Sequence, residues 1–175
     1  WKIATQHGQI LKLPTAQDVM VLDQNTVALQ DDKARWSVMK KQKGKWGTIK
    51  GPLHHIVRLN GQCAVMHLMQ PEQVVFWDFK SGKAIWSKPA VLRTRENTPS
   101  IKNQYTERPY AYYPWVYPLD ERYHIYCEGG TTEGFIERLI DNAGNGASPA
   151  FGCILPTAKE GLYKVNRNGY WGLIA

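Results

Sequence analysis

A six-residue pattern that occurs twice limits the folds open to this chain. Gly-x-Trp-Gly-x-Ile is found at residues 44–49 and again at residues 169–174. In both copies the first glycine ends a turn sequence, Lys43-Gly44 in one and Asn166-Arg167-Asn168-Gly169 in the other. Glycine and asparagine tolerate the positive φ values of tight turns, and alternating residues flank each turn. The repeated pattern therefore predicts two β-hairpins.

Other segments also favour strands over helices. VVFWDFKSGKAIWS, residues 74–87, predicts a third hairpin that turns at Lys80-Ser81-Gly82. Seven tryptophans and nine tyrosines suit pleated sheets. TTEGFIERLIDN, residues 131–142, has apolar spacing that fits one or two helical turns, and a strand pair is the alternative. We expect an all-β fold with at most one short helix.

Composition sets the broad class of protein. The 175 residues are 43% apolar and 21% charged, which argues against disorder and allows one domain or a row of small repeats. No apolar run approaches the roughly 18 to 20 residues of a transmembrane helix. The net charge of +7 suits an acidic partner, such as an anionic protein surface or nucleic acid, although solubility alone would also explain it.

One segment differs from the rest of the chain. Residues 91–118 contain four prolines and no clear period, and they are too many for an ordinary connection between strands. They predict a Pro-, Tyr- and Arg-rich loop or linker between an N-terminal β-repeat part, residues 1–90, and a C-terminal β-repeat part, residues 119–175. Arginine and tyrosine are favoured at binding hot spots. The predicted binding residues are Arg93, Arg95, Arg108, Tyr110, Tyr112, Tyr113 and Trp115.

Two alternatives for this segment remain open. The same mixture of side chains could neutralise and stack on single-stranded nucleic acid. The tyrosines could instead simply cover the sheet.

The search for a catalytic or metal site is mostly negative. No phosphate loop, His-Glu-x-x-His or Gly-x-Ser-x-Gly motif is present. His54 and His55 are adjacent, so on a regular strand they would point to opposite faces and could not share a metal. We therefore expect no metal and no cofactor. An enzyme remains the least favoured alternative, with a site assembled from distant residues such as Cys127 with His67 or His124.

The cysteines and the first residue bear on the compartment. Cys63, Cys127 and Cys153 are widely spaced, and either a Cys127–Cys153 disulfide or three buried thiols would fit. The sequence begins at Trp1 rather than methionine, which is consistent with removal of a secretory signal. We expect a periplasmic or secreted protein, with a cytoplasmic location as the alternative.

The repeated hexamers and the strand before each resemble the bacterial WG-repeat proteins. Residues 159–174 follow that repeat closely, residues 43–49 follow it well, and residues 140–149 look like the end of a preceding copy. Lys50 and Ala175 stand where the repeat usually has aspartate. The resemblance implies hairpin repeats stacked in a solenoid, barrel or propeller-like sheet, and a role in protein interaction without shared catalytic residues.

In such a repeat the tryptophan would be a buried anchor, and the second glycine would allow a neighbouring backbone to approach closely. The leading hypothesis is a non-catalytic bacterial module that captures another protein, as an envelope inhibitor or immunity-type protein does. A basic nucleic-acid-binding β protein is the alternative.

Overall fold

The structure, a computed structural model, describes residues 2–4, 10–13, 15–92, 112–131 and 134–175. These residues form strands and turns and contain no helix, so none of them forms a helix that could cross a membrane. The chain begins with a short antiparallel pair, β1 (Lys2–Ala4) and β2 (Ile10–Lys12).

A seven-stranded antiparallel sheet follows, in which each strand pairs with the next one along the chain. Its strands are β3 (Asp18–Asp23), β4 (Thr26–Gln30), β5 (Trp36–Gln42), β6 (Lys45–Arg58), β7 (Cys63–Met69), β8 (Glu72–Asp78) and β9 (Lys83–Pro89).

Three smaller antiparallel sheets complete the described fold. The first pairs β10 (Val91–Leu92) with β11 (Tyr112–Tyr113). The second contains β12 (Trp115–Pro118), β13 (Tyr123–Thr131) and β14 (Gly134–Asp141). The third contains β15 (Cys153–Pro156), β16 (Tyr163–Arg167) and β17 (Tyr170–Ile174).

The all-β prediction is confirmed, and the three predicted hairpins form at β5–β6, β8–β9 and β16–β17. Residues 134–141 form β14, so the strand alternative for that segment is correct and the helical one is wrong. None of the sheets formed by the described residues closes into a barrel.

Both copies of the hexamer begin with the second residue of a two-residue turn and continue along the return strand of the hairpin. Lys43 and Gly44 have φ values of 48° and 81°, and Asn168 and Gly169 have values of 54° and 84°. Positive φ at both central residues defines the type I′ turn, whose twist matches that of paired strands. The turn chemistry predicted from the sequence thus explains why both copies of the hexamer begin with glycine.

The predicted roles of the tryptophan and the second glycine are wrong. Trp46 is half-buried and Trp171 is 40% exposed, and neither belongs to a core cluster. No heavy atom of the described residues lies within 4 Å of a Cβ built on Gly47 or Gly172, apart from their chain neighbours. The hexamer is therefore a surface strand in both hairpins, and its glycine permits no close approach.

Strand β7 is the centre of the packing because residues 63–67 are buried on both faces. Successive side chains point to opposite faces of a strand. Ala64 and Met66 therefore enter one core cluster and Cys63 and Val65 enter another. All buried members of the first cluster come from the seven-stranded sheet and the residue that follows β8, with Trp77 among the largest.

The second cluster joins the large sheet to the β12–β14 sheet. Val74 and Phe76 of β8 pack there with Trp115 and Val116 of β12. The start and end of the predicted linker at 91–118 thus form strands, while its middle, residues 93–111, lies outside the described residues. The three-part division of the chain stays a prediction.

Strand β13 separates two cores by the same alternation. Tyr126 faces the second cluster, whereas Ile125 faces a third cluster with Leu139 and the β15–β17 sheet. The buried carboxylate of Glu137 on β14 accepts a hydrogen bond from the Ile154 N–H at 2.8 Å. This bond fixes β15 beside β14, so the second and third sheets pack as neighbours.

The β15–β17 sheet is also held by a polar contact. The hydroxyl of the buried Tyr163 donates to Oδ2 of Asp120, whose Oδ1 accepts the N–H groups of Arg122 and Tyr123 at 2.8 and 2.9 Å. Burial tends to raise the pKa of Asp120, but these hydrogen bonds outweigh it and the net pKa is lowered. Burial and the neighbouring carboxylate raise the pKa of Tyr163 to about 12.

Truncation of the buried Trp77 and of the surface residues Trp46 and Trp171 should lower the stability of the fold by very different amounts. Trp77→Ala should lower the free energy of unfolding by about 3 to 5 kcal/mol because it opens a cavity in the first core. Trp171→Ala should cost about 1 kcal/mol, since the ring is at the surface and its contacts include a cation–π contact with Lys164, whose Nζ lies 4.5 Å from the ring centroid. Urea unfolding measures both, with Trp46→Ala as a second surface variant. A loss of about 3 kcal/mol or more in Trp171→Ala would restore the buried-anchor role of the hexamer.

Acid should weaken the Asp120–Tyr163 contact. A carboxylate with a lowered folded pKa stabilises the fold above its unfolded pKa of about 3.9, and this contribution is lost as the pH falls through the folded pKa. Tyr163→Phe should remove about 1 kcal/mol at neutral pH and reduce the loss between neutral pH and acid. Urea unfolding across that range tests this, with the exposed Tyr170→Phe as the control. Equal acid sensitivity in Tyr163→Phe and the unmutated chain would contradict the assignment.

Candidate functional site

The structure describes three of the seven predicted binding residues. Arg93, Arg95, Arg108 and Tyr110 lie outside the described residues. Tyr112 is half-buried, while Tyr113 is 3% exposed and Trp115 is 2% exposed. The rings of Tyr113 and Trp115 therefore pack inside the protein, as in the alternative in which these aromatic residues cover the sheet.

Trp115 contacts one of several neighbouring histidines, whose proximity the sequence does not predict. Its ring stacks on His55, with centroids 5.9 Å apart. In the ladder between β6 and β7, Leu53 pairs with Leu68 and His55 pairs with His67, so His54 is the extra residue of a β-bulge.

The bulge turns both neighbouring histidines toward the same face. The His54 ring centroid lies 4.7 Å from that of His67, and His55 stacks on Trp115 on that side of the sheet. The expectation that His54 and His55 point to opposite faces is therefore wrong. It assumed a regular strand, and the extra residue breaks the period of two.

Glu72 completes the cluster from the third strand. His67 pairs with Val74 on β8, and Glu72 lies two residues before Val74, so it projects from the same face diagonally to His67. The Nε2 atom of His67 lies 3.4 Å from Oε1 of Glu72. One ligand atom each of His54, His67 and Glu72 lie within 4.8 Å of one another.

Burial differs within this group, which we call the His–His–Glu cluster. His54 and Glu72 are exposed, while His67 is fully buried with the Tyr112 ring centroid 4.4 Å away. Burial lowers the pKa of His67, the charge of His54 lowers it further, and Glu72 opposes the shift only in part. The buried ring therefore favours its neutral form, which has a lone pair available as an acceptor or ligand.

The second exposed feature is the outer face of the β16–β17 hairpin. Tyr163, Val165 and Ile174 face the third core. Lys164, Trp171 and Leu173 lie on the opposite face because they alternate with those residues. Leu173 is 63% exposed, and Tyr170 beside the turn is 82% exposed.

The residues of the alternative enzyme site are buried. Cys127 is fully buried in a cluster with Tyr113. His124 is also fully buried, and its Nε2 pairs with Oδ1 of Asn142 at 2.8 Å. Burial lowers the pKa of His124 although the Asn142 hydrogen bond opposes this shift.

Comparison with protein-family models gave no match, and comparison with curated protein sequences gave none either. The similarity to WG-repeat proteins therefore stays a prediction.

All three cysteines are buried thiols, in agreement with the second alternative drawn from the sequence. Burial, followed by the negative charge of Asp78, raises the pKa of Cys63 to about 11. We expect none of the three thiols to react rapidly with a disulfide reagent at pH 8 in the native protein, and all three to react after unfolding in urea without reductant. Absorbance of the released thiolate measures both.

The exposed position Val21 supplies the control for this measurement. Val21→Cys should add one rapidly reacting thiol to the native protein, because Val21 is exposed on β3. Fewer than three reactive thiols in the unfolded, unreduced chain would show a disulfide and contradict the structure.

Proposed function

We propose that the chain is a non-catalytic module that binds another protein and takes an extended, acidic segment of that partner along strand β17. The observation that carries the proposal is the exposure of Tyr170, Trp171 and Leu173 on a strand that pairs only with β16 among the described strands. Addition of a peptide strand to an exposed sheet edge is a common mode of recognition.

Comparison with the edges of the large sheet supports this choice. Natural proteins protect edge strands with charged side chains, proline or bulges. Strand β9 carries Lys83, Lys88 and Pro89, and β3 carries two aspartates and a bulge. Strand β17, Tyr-Trp-Gly-Leu-Ile, has none of these features.

The ladder also predicts which backbone groups face outward. Residues that flank a two-residue type I′ turn form a hydrogen-bonded pair, and such pairs alternate with non-hydrogen-bonded ones. Arg167 and Tyr170 flank the turn, so Leu173, which pairs with Lys164, is at a non-hydrogen-bonded position. Its N–H and C=O therefore point away from β16, toward an added strand.

Charge favours an acidic occupant. Lys164 and Arg167 are exposed on β16, and Lys164 lies on the same face as Trp171 and Leu173. The whole chain has a net charge of +7. Basic side chains beside an apolar strand attract an acidic segment and increase its rate of association.

The proposal retains the other elements of the sequence-based hypothesis. WG-like hairpin repeats are supported by the shared hairpin geometry of residues 44–49 and 169–174, and their stacking stays part of the proposal. The arginine- and tyrosine-rich segment is proposed as a second contact, in which its arginines would add to the basic charge. Export to a bacterial envelope remains part of the hypothesis.

The test uses a fluorescent peptide of alternating glutamate and valine, with binding measured by anisotropy. Leu173→Pro removes an N–H that points away from β16, together with the exposed leucine side chain. It should leave the fold intact and weaken binding at least about tenfold, which is 1.4 kcal/mol. Leu173→Ala keeps the N–H and should weaken binding less. The Leu173 amide should become protected from hydrogen exchange when the unmutated protein is saturated with peptide.

Three results would overturn the proposal: no binding of the peptide at low salt, equal affinity in Leu173→Pro and the unmutated chain, or no protection of the Leu173 amide. Displacement of the peptide by single-stranded oligothymidine would also count against it if that oligonucleotide bound Leu173→Pro unchanged and its affinity fell steeply with salt. That outcome would favour nucleic-acid binding.

A further inference from the structure

We propose that His54, His67 and Glu72 bind a divalent transition-metal ion, for which we name Zn²⁺. The proposal is independent of partner binding at β17, since it involves other strands and other chemistry. It rests on three side chains of the type that zinc prefers, brought together from three neighbouring strands.

The geometry is close to that of a bound metal. Ligand atoms on a tetrahedral Zn²⁺ lie about 3.3 Å apart when metal–ligand bonds are about 2.0 Å. Nε2 of His67 and Oε1 of Glu72 are 3.4 Å apart, and all three ligand atoms lie within 4.8 Å of one another. His54 and Glu72 are exposed, so small rotations of their side chains can close the remaining distance.

The bulge at His54 adds a third side chain to the pair formed by His67 and Glu72. A contact between His67 and Glu72 alone would involve only β7 and β8. The bulge in β6 adds a third donor, and it brings a second imidazole next to the first one. β-Bulges are common beside functional sites because they redirect side chains.

The surroundings suit a site with one open position. His67 forms a buried floor against Tyr112, and a ring fixed by packing is preorganised as a ligand. His54 and Glu72 form the rim, which gives the ion a path from solvent. Two histidines and one glutamate leave a fourth tetrahedral position for water, as in zinc sites with three protein ligands.

The neighbouring His55 makes the experiment specific. It precedes Ile56 on the same strand and stacks on Trp115, and it is not one of the three clustered ligands. His54→Ala and Glu72→Gln each remove one exposed ligand and should not disturb the core, while His55→Gln removes the adjacent histidine as a matched control.

Metal-stripped protein is titrated with Zn²⁺ in a calorimeter at neutral pH. We expect one equivalent to bind, His54→Ala and Glu72→Gln to weaken the affinity at least about tenfold, and His55→Gln to leave it nearly unchanged. Co²⁺ should give the intense visible absorption of a tetrahedral ion in the unmutated protein and lose it in His54→Ala. The ring nitrogens of His54 and His67 should shift in NMR spectra with Zn²⁺, and those of His124 should not.

The proposal is overturned if no equivalent of Zn²⁺ binds, if His54→Ala and Glu72→Gln bind as tightly as the unmutated chain, or if His55→Gln loses as much affinity as they do. Circular dichroism of each variant confirms that it is folded. Because β17 is unchanged in these variants, peptide binding there should persist, so failure of one proposal leaves the other testable.

Discussion

The fold depends on the burial of β7 on both faces. Residues 63–67 supply two cores at once, with alternate side chains directed to each. If β7 paired with its neighbours one residue out of register, the side chains that now face one core would face the other, and Met66 would enter the core that contains Val65. The pairing with β6 and β8 is therefore tightly specified. Where β6 pairs with β7, it has one residue more than its partner, and this residue, His54, lies in the bulge.

The sequence predicted local structure well where turn chemistry was decisive. Lys43-Gly44 and Asn168-Gly169 adopt positive φ, and this turn chemistry, with the alternating residues on either side, predicts two hairpins correctly. For residues 134–141 the sequence allows either a strand or a helix, because the spacing of Ile136, Leu139 and Ile140 also fits a helical period. The structure explains that spacing by two cores, since Leu139 faces one and Ile140 the other. A strand buried on both faces has no clear period of two.

The candidate sites could not be predicted in the same way. The sequence predicts Tyr113 and Trp115 as binding residues of a Pro-, Tyr- and Arg-rich loop or linker. Their rings lie in core clusters, because burial depends on which sheet packs over them. The His–His–Glu cluster depends on the register of three strands and on one bulge. Spacing between His54, His67 and Glu72 along the chain contains no such information. A search for chemistry within short motifs would therefore miss it.

Strand β13 has a consequence for how this chain tolerates change. Its neighbours Ile125 and Tyr126 belong to different cores, one shared with the β15–β17 sheet and one with the large sheet. A substitution at Ile125 thus changes the packing on one side of the strand, and a substitution at Tyr126 changes the packing on the other side. Residues that share each core, and could compensate there, include ones distant in sequence, such as Val165 for Ile125 and Phe76 for Tyr126. Covariation between residues would follow these layers rather than proximity along the chain.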